Sequence, residues 1–129
     1  MLDYAKATNM DPESIDFKFN LALCQEKLGK SDEAETTFYE IISVDPGHSG
    51  AYFNLGNLKY KQARYTDAIS FYTLAHHYNS KNTSVLYNRA LAYFNNDQLE
   101  KACADMKTVM EVDEELAKKF YSKYCNHLE

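Results

Sequence analysis

The feature that most constrains this chain is a self-similarity at a period of about 34 residues, because a fixed period of that size marks one supersecondary unit copied along the chain. A shift by one period superposes Asn20, Asn54 and Asn88, then Ala34, Ala68 and Ala102, then Ala22, Gly56 and Ala90. Phe19, Phe53 and Tyr87 fall into one column, and Phe38, Tyr72 and Met106 into another. Each column keeps either identity or size. The frame also runs backwards, with Tyr4 under Phe38, Ala7 under Ile41, Met10 under Val44, and Asp11-Pro12 under Asp45-Pro46. The chain is therefore expected to open inside a unit, with the natural polypeptide beginning earlier. Residues 1–14 read as the second helix of a partial unit (residues 2–9 helical), residues 15–48, 49–82 and 83–116 as full units, and residues 117–129 as a closing helix, all within one domain of ordinary size.

Each unit carries two amphipathic segments separated by punctuation. In the middle unit Tyr52, Leu55 and Tyr60 form one helical stripe, and Tyr65, Ala68, Ile69, Tyr72 and Ala75 form a second at spacings of three and four. Inside the first unit, Gly29-Lys30-Ser31-Asp32 supplies a glycine to end one helix and Ser31 as a cap for the next. Between units, Asp11-Pro12 and Asp45-Pro46-Gly47 stop the outgoing helix, since proline disfavours helical geometry in the residue before it and has no N–H to donate. The turns are short, so neighbouring helices are expected to pack antiparallel in an all-α architecture. The small columns, Ala22, Gly56 and Ala90 facing Ala34, Ala68 and Ala102, let the two helices of a unit approach closely, and a larger residue there would force them apart.

These residues resemble the tetratricopeptide-repeat family, and the middle unit, with Asn54-Leu55-Gly56-Asn57, Ala68, Tyr72 and Ala75, is similar to a consensus copy. The resemblance spans essentially the whole chain and implies a right-handed α-solenoid of antiparallel helix pairs, three full units with a preceding half unit and a C-terminal capping helix. Lys18 and Lys59 stand where the family favours bulky apolar residues, Arg89 replaces a leucine, and Ser80 and Glu114 replace the closing proline. The last unit and the segment Ala117-Lys118-Lys119-Phe120-Tyr121 also resemble the end of bacterial repeat proteins, which implies a bacterial source.

The family's first helices line a concave groove, and the resemblance implies that a protein or peptide ligand binds there. The candidate binding residues on those helices are Phe19, Asn20 and Leu23, then Phe53, Asn54, Asn57 and Tyr60, then Tyr87, Asn88, Leu91 and Phe94. A primary amide offers a donor and an acceptor together, so an evenly spaced ladder of Asn20, Asn54 and Asn88 suits the main chain of an extended guest. The aromatics would add apolar pockets for its side chains, and aromatics are enriched in binding hot spots. The same residues also suit a bland reading, in which the amides bond neighbouring helices and the rings fill the core. Family members that grip a chaperone's terminal carboxylate use a clamp of lysine, asparagine and arginine. Here the matching positions hold Phe19, Leu23, Asn54, Ser84 and Asn88, so a carboxylate finds no fixed cation and no chaperone-tail binding is expected.

Other classes of function find little support. The chain carries 11 Tyr and 7 Phe but no Trp, and a net charge of −5 with no basic run, which disfavours nucleic acid. No apolar stretch reaches the roughly 20 residues that cross a bilayer, and no secretory signal opens the chain, so membrane insertion is not expected and the cytoplasm is favoured. His48, His76, His77 and His127 form no metal motif, no glycine-rich phosphate loop is present, and no cysteine has the context of a nucleophile. Neither an enzyme, a cofactor nor a metal is expected. Cys24, Cys103 and Cys125 read as reduced, buried thiols, although Cys103 and Cys125 fall on helices that must pack together, where a bridge would staple the closing helix to the solenoid. The alternative to groove binding is self-association into homo-oligomers through the exposed ends of the solenoid.

Overall fold

The computed structural model of the chain describes residues 12–128, so the helix expected over residues 2–9 lies outside the described residues. Among these residues are seven α-helices and no strand. Helices α1 (Pro12–Lys27) and α2 (Ser31–Val44) form the first antiparallel hairpin, α3 (Ser49–Lys61) and α4 (Tyr65–Tyr78) the second, and α5 (Thr83–Asn95) and α6 (Leu99–Val112) the third. Helix α7 (Glu114–Tyr124) packs on the third hairpin and is followed by a short 3-10 turn, Asn126–Leu128.

The turn inside each hairpin is the same backbone device used three times. Gly29, Ala63 and Asp97, one period apart, all adopt positive φ (81°, 61° and 61°). The next residue then donates its N–H five residues back: Lys30 to the Gln25 carbonyl, Arg64 to Lys59 and Gln98 to Tyr93, at 2.8, 2.9 and 2.9 Å. This is the Schellman closure of a helix C-terminus, which satisfies carbonyls that the helix leaves orphaned. It also corrects the role expected for Ser31. The turn is so tight that Lys30 takes the cap position with no side-chain hydrogen bond, and Ser31 is the first residue of α2. Glycine accepts the left-handed geometry at no cost, whereas Ala63 and Asp97 hold it under strain.

The turns between hairpins use side-chain caps instead. His48 Nδ1 accepts from Ala51 N at 3.0 Å, and Asn82 Oδ1, one period later, accepts from Ser84 N at 3.0 Å. Asp113 both ends α6 and caps α7, its Oδ1 accepting from Leu116 N at 3.2 Å.

Burial follows the period. Ala22, Ala34, Phe38, Ile41, Ala51, Leu55 and Leu58 join α1, α2 and α3 in one cluster. Tyr52, Ala68, Tyr72, Ala75, Val85 and Ala92 join α3, α4 and α5, and a third cluster built on Ala90, Ala102, Met106 and Val109 joins α5 and α6 to Ala117 and Tyr121 of α7. Each core is thus shared between a hairpin and the first helix of the next element, the nearest-neighbour pattern of a solenoid. The charged residues in apolar columns are all paired. Lys18 reaches Glu40 at 3.0 Å, Lys59 is buried against Glu35 at 2.9 Å, and Arg89 meets Asp105 through two nitrogens at 2.8 Å each while a third contacts Thr73 Oγ1 at 3.1 Å. A forked guanidinium on a carboxylate keeps a charge tolerable where a leucine was expected.

The cysteines depart from the expectation of three reduced, buried thiols. Cys24 is exposed on α1, and Cys103 of α6 is bonded to Cys125 beyond α7 in a disulfide. The two positions are brought together because α7 must fold back over α6 to cover its apolar face. The bridge closes a loop with a sequence separation of 22 residues, which constrains the unfolded chain by about 3 kcal/mol. Reduction is therefore expected to lower the calorimetric melting temperature of the wild type and leave that of a Cys103→Ala, Cys125→Ala variant unmoved.

Candidate functional site

A cavity of about 200 Å³ opens on the first helices of the hairpins, lined by Glu26 of α1, Asn57, Tyr60 and Lys61 of α3, Tyr72 of α4, and Asn88 and Leu91 of α5. Its shape depends on Gly56. A methyl group built there would lie 2.6 Å from Tyr72 Cε1, so only the absence of a side chain lets α4 bring its ring against α3. Tyr72 is fully buried, and its hydroxyl donates to Asn57 Oδ1 at 2.5 Å. Asn88 Nδ2 donates to the same oxygen at 3.1 Å, which ties α3, α4 and α5 together at one point. Burial pushes the Tyr72 phenol well above its ordinary range, so it stays a neutral donor.

At the rim, Tyr60 packs edge-on against Tyr65 with centroids 5.3 Å apart, and its hydroxyl accepts from Asn95 Nδ2 at 2.8 Å. Glu26 and Lys61 form an ion pair at 3.3 Å, with side chains 14% and 68% exposed respectively. The carboxylate is held in the wall of the cavity and the ammonium lies mostly in solvent.

The residues expected in a groove take several different situations. Asn57, Tyr60, Asn88 and Leu91 come together in the cavity. The three amides of the ladder are not equivalent: Asn20 is exposed, Asn54 Nδ2 donates to the Gly50 carbonyl of its own helix at 2.8 Å, and Asn88 is engaged with Asn57. Phe19 packs against the His48 and Phe38 rings, with Leu23 against the same core, and Phe53 lies on Tyr72. Tyr87 packs against the last core, and Phe94 is sandwiched with Phe120 and Tyr124 at centroid distances of 5.3 and 4.6 Å, facing the closing helix. Glu26, Lys61 and Tyr72 join the cavity without having been expected there. Glu26 was legible: it shares the repeat column of Tyr60 and Phe94 and lies three residues beyond Leu23 on the same helix face.

No group of three or more metal-ligating side chains is found among the described residues, and no described helix is long and apolar enough to cross a membrane.

Stacked helical hairpins with shared cores and one recurrent turn define a helical-repeat solenoid. Models of the tetratricopeptide repeat match residues 26–77 and 83–116, and the chain belongs to the tetratricopeptide repeat family. It is 28% identical over 78 residues to human tetratricopeptide repeat protein 6, an alignment that covers 60% of this chain and only 15% of that protein. Among solved structures, the first such domain of Spaghetti (RPAP3) bound to an HSP90 peptide superposes with a TM-score of 0.83 at 23% identity, over 92% of this chain and 96% of that one. The Yersinia enterocolitica type III secretion translocator chaperone SycD superposes at 0.80 with 20% identity, over 90% and 84% of the two chains. SycD in complex with a peptide of the translocator YopD gives 0.80 at 19% identity, over 88% and 92%. At these identities the likeness is one of fold.

The Gly56 contact yields a test of the site's construction. Gly56→Ala drives a methyl group into a ring that cannot retreat, and is expected to destabilise the protein by about 1 to 3 kcal/mol despite alanine's better helix propensity. A denaturant melt reads the loss, and a melt unchanged or improved by the substitution would show that α3 and α4 are not packed as described.

Proposed function

We propose that the chain is a protein-interaction scaffold that holds an extended stretch of a partner polypeptide across the first helices of its hairpins. The observation that carries this reading is the cavity in which Asn57, Tyr60, Asn88 and Leu91, from two successive first helices, converge beside Tyr72. It is smaller than the roughly 300 to 1,000 Å³ of sites for drug-sized ligands, and so suits one side chain of a longer guest. Support also comes from two proteins of the same fold, the RPAP3 domain and SycD, that are seen with peptides. The guest's path would extend over Phe53 and Asn54 towards Leu23, Phe19 and the exposed amide of Asn20, and in the other direction towards Tyr87 and Phe94.

A displayed library of random dodecapeptides supplies the test. Selected peptides are expected to bind with micromolar affinity and to lose at least about tenfold on an Asn57→Ala, Asn88→Ala variant whose helicity is unchanged, because a buried amide left without its partner penalises the bound state. A peptide copying an acidic chaperone tail should not bind. Recovery of no binder, or of binders indifferent to the double variant, would refute the groove reading.

A second reading, self-association, is favoured by one specific face. Phe17 and Leu21 on α1, and Leu28 just beyond its end, are large exposed apolar residues in line with exposed Cys24 at spacings of three and four. One period after Phe17, Leu21 and Cys24, the residues Ala51, Leu55 and Leu58 are buried in the stack. If a second copy covers this face, sedimentation velocity gives a concentration-dependent dimer that Leu21→Glu abolishes and that oxidation traps through Cys24. A monomer at all concentrations removes the idea.

A further inference from the structure

Resting on the groove reading, we infer that the cavity between α1, α3 and α5 selects a cationic side chain, lysine or arginine, of the guest polypeptide, with the Glu26 carboxylate as its anchor and Lys61 as the internal cation that the guest displaces.

Three observations converge on this. First, the charges around the cavity are unequal in how firmly they are held. Glu26 is largely buried in the wall, whereas its partner Lys61 is 68% exposed and reaches it at 3.3 Å. A lysine so placed is tethered weakly, since an ion pair with one exposed partner is worth little against the side-chain freedom it costs. When Lys61 swings into solvent, the cavity keeps a fixed negative charge and gains room for a guest ammonium or guanidinium at the same point.

Second, the walls suit the stem and head of a long basic side chain. Leu91 offers apolar surface for methylenes, and Tyr60 and Tyr72 place two aromatic side chains in the lining, a type of neighbour that attracts a cation. Asn57 Oδ1 already takes hydrogen bonds from Tyr72 and Asn88. Among the acceptors of the cavity lining, the Glu26 carboxylate alone carries a charge, and a charge-assisted hydrogen bond is the stronger one for a cationic donor.

Third, the opposite choice, an acidic guest, finds no fixed cation here. Lys18, Lys59 and Arg89 on the same first helices are each committed to a carboxylate, at 3.0, 2.9 and 2.8 Å. The overall charge of −5 adds long-range attraction for a basic segment.

The experiment uses the same random dodecapeptide display, sequenced against wild type, Glu26→Gln and Lys61→Met. Peptides selected on the wild type should be enriched in lysine or arginine at one aligned position. A synthetic peptide of that sequence should bind roughly tenfold or more weakly to Glu26→Gln, through loss of a charge-assisted contact, and roughly two- to five-fold more tightly to Lys61→Met, through loss of the competitor. Thermal melts of both variants confirm that the scaffold is intact. The sign at Lys61 is decisive: weaker binding to Lys61→Met would mean that this lysine holds an anionic guest, and would overturn the inference. Selected peptides that need Asn57 and Asn88 but show no basic preference overturn it while leaving the groove reading standing. A library that yields no binder at all overturns both.

Discussion

Tyr72 lies against the bare backbone of Gly56, and its hydroxyl is the point where α3 and α4 meet the amide carried in from α5. The stack depends on contacts of this kind. How closely two helices approach depends on the side chains at their contact, and a small residue facing a shaped side chain permits the closest approach. In the three described hairpins the small partner is Ala22, Gly56 or Ala90, each fully enclosed or nearly so. Because the ring that fills the gap beside Gly56 also lines the cavity, the packing that holds the middle hairpin together and the shape of the cavity are one and the same feature. A substitution there changes both together.

The charged residues show how the scaffold admits polarity without exposing it to the groove. Lys59 is buried against Glu35 of the preceding hairpin, and Arg89, in the column of the buried Leu55, spans Thr73 and Asp105 on the helices either side of it. Such pairs add little net stability over well-packed apolar residues, but loss of one member strands the other at a cost of about 3 to 5 kcal/mol. They also commit Lys59 and Arg89 to carboxylates outside the cavity, whose lining has Glu26 and its loosely held partner Lys61 as its charged groups.

The architecture was legible because a repeat multiplies its own signal. A single Asn or Ala means little, but columns such as Ala34, Ala68 and Ala102 recur at a spacing that only stacked hairpins explain. What escaped detection depends on where side chains meet across helices. Ser31 looks like a cap by residue type, yet the left-handed Gly29 two residues earlier closes the preceding helix through backbone bonds alone. His48 is an unusual capping residue and gave no warning of that role. The candidate groove was partly visible, since Asn57, Tyr60, Asn88 and Leu91 do converge, but sequence spacing could not tell them from Phe94, which differs only in facing a closing helix. Nor does spacing report that Asn54 turns back to its own helix whereas Asn88 crosses to another.

A stack in which each unit touches only its neighbours comes apart from its ends, where fewest contacts must break. The bond from Cys103 to Cys125 ties α7 covalently to the hairpin beneath it. While it holds, α7 cannot leave α6 unless the hairpin opens with it. Once the bond is opened, α7 can peel away alone and bare the apolar face of α6, so the thiol state of two residues remote from the cavity decides how local an opening can be.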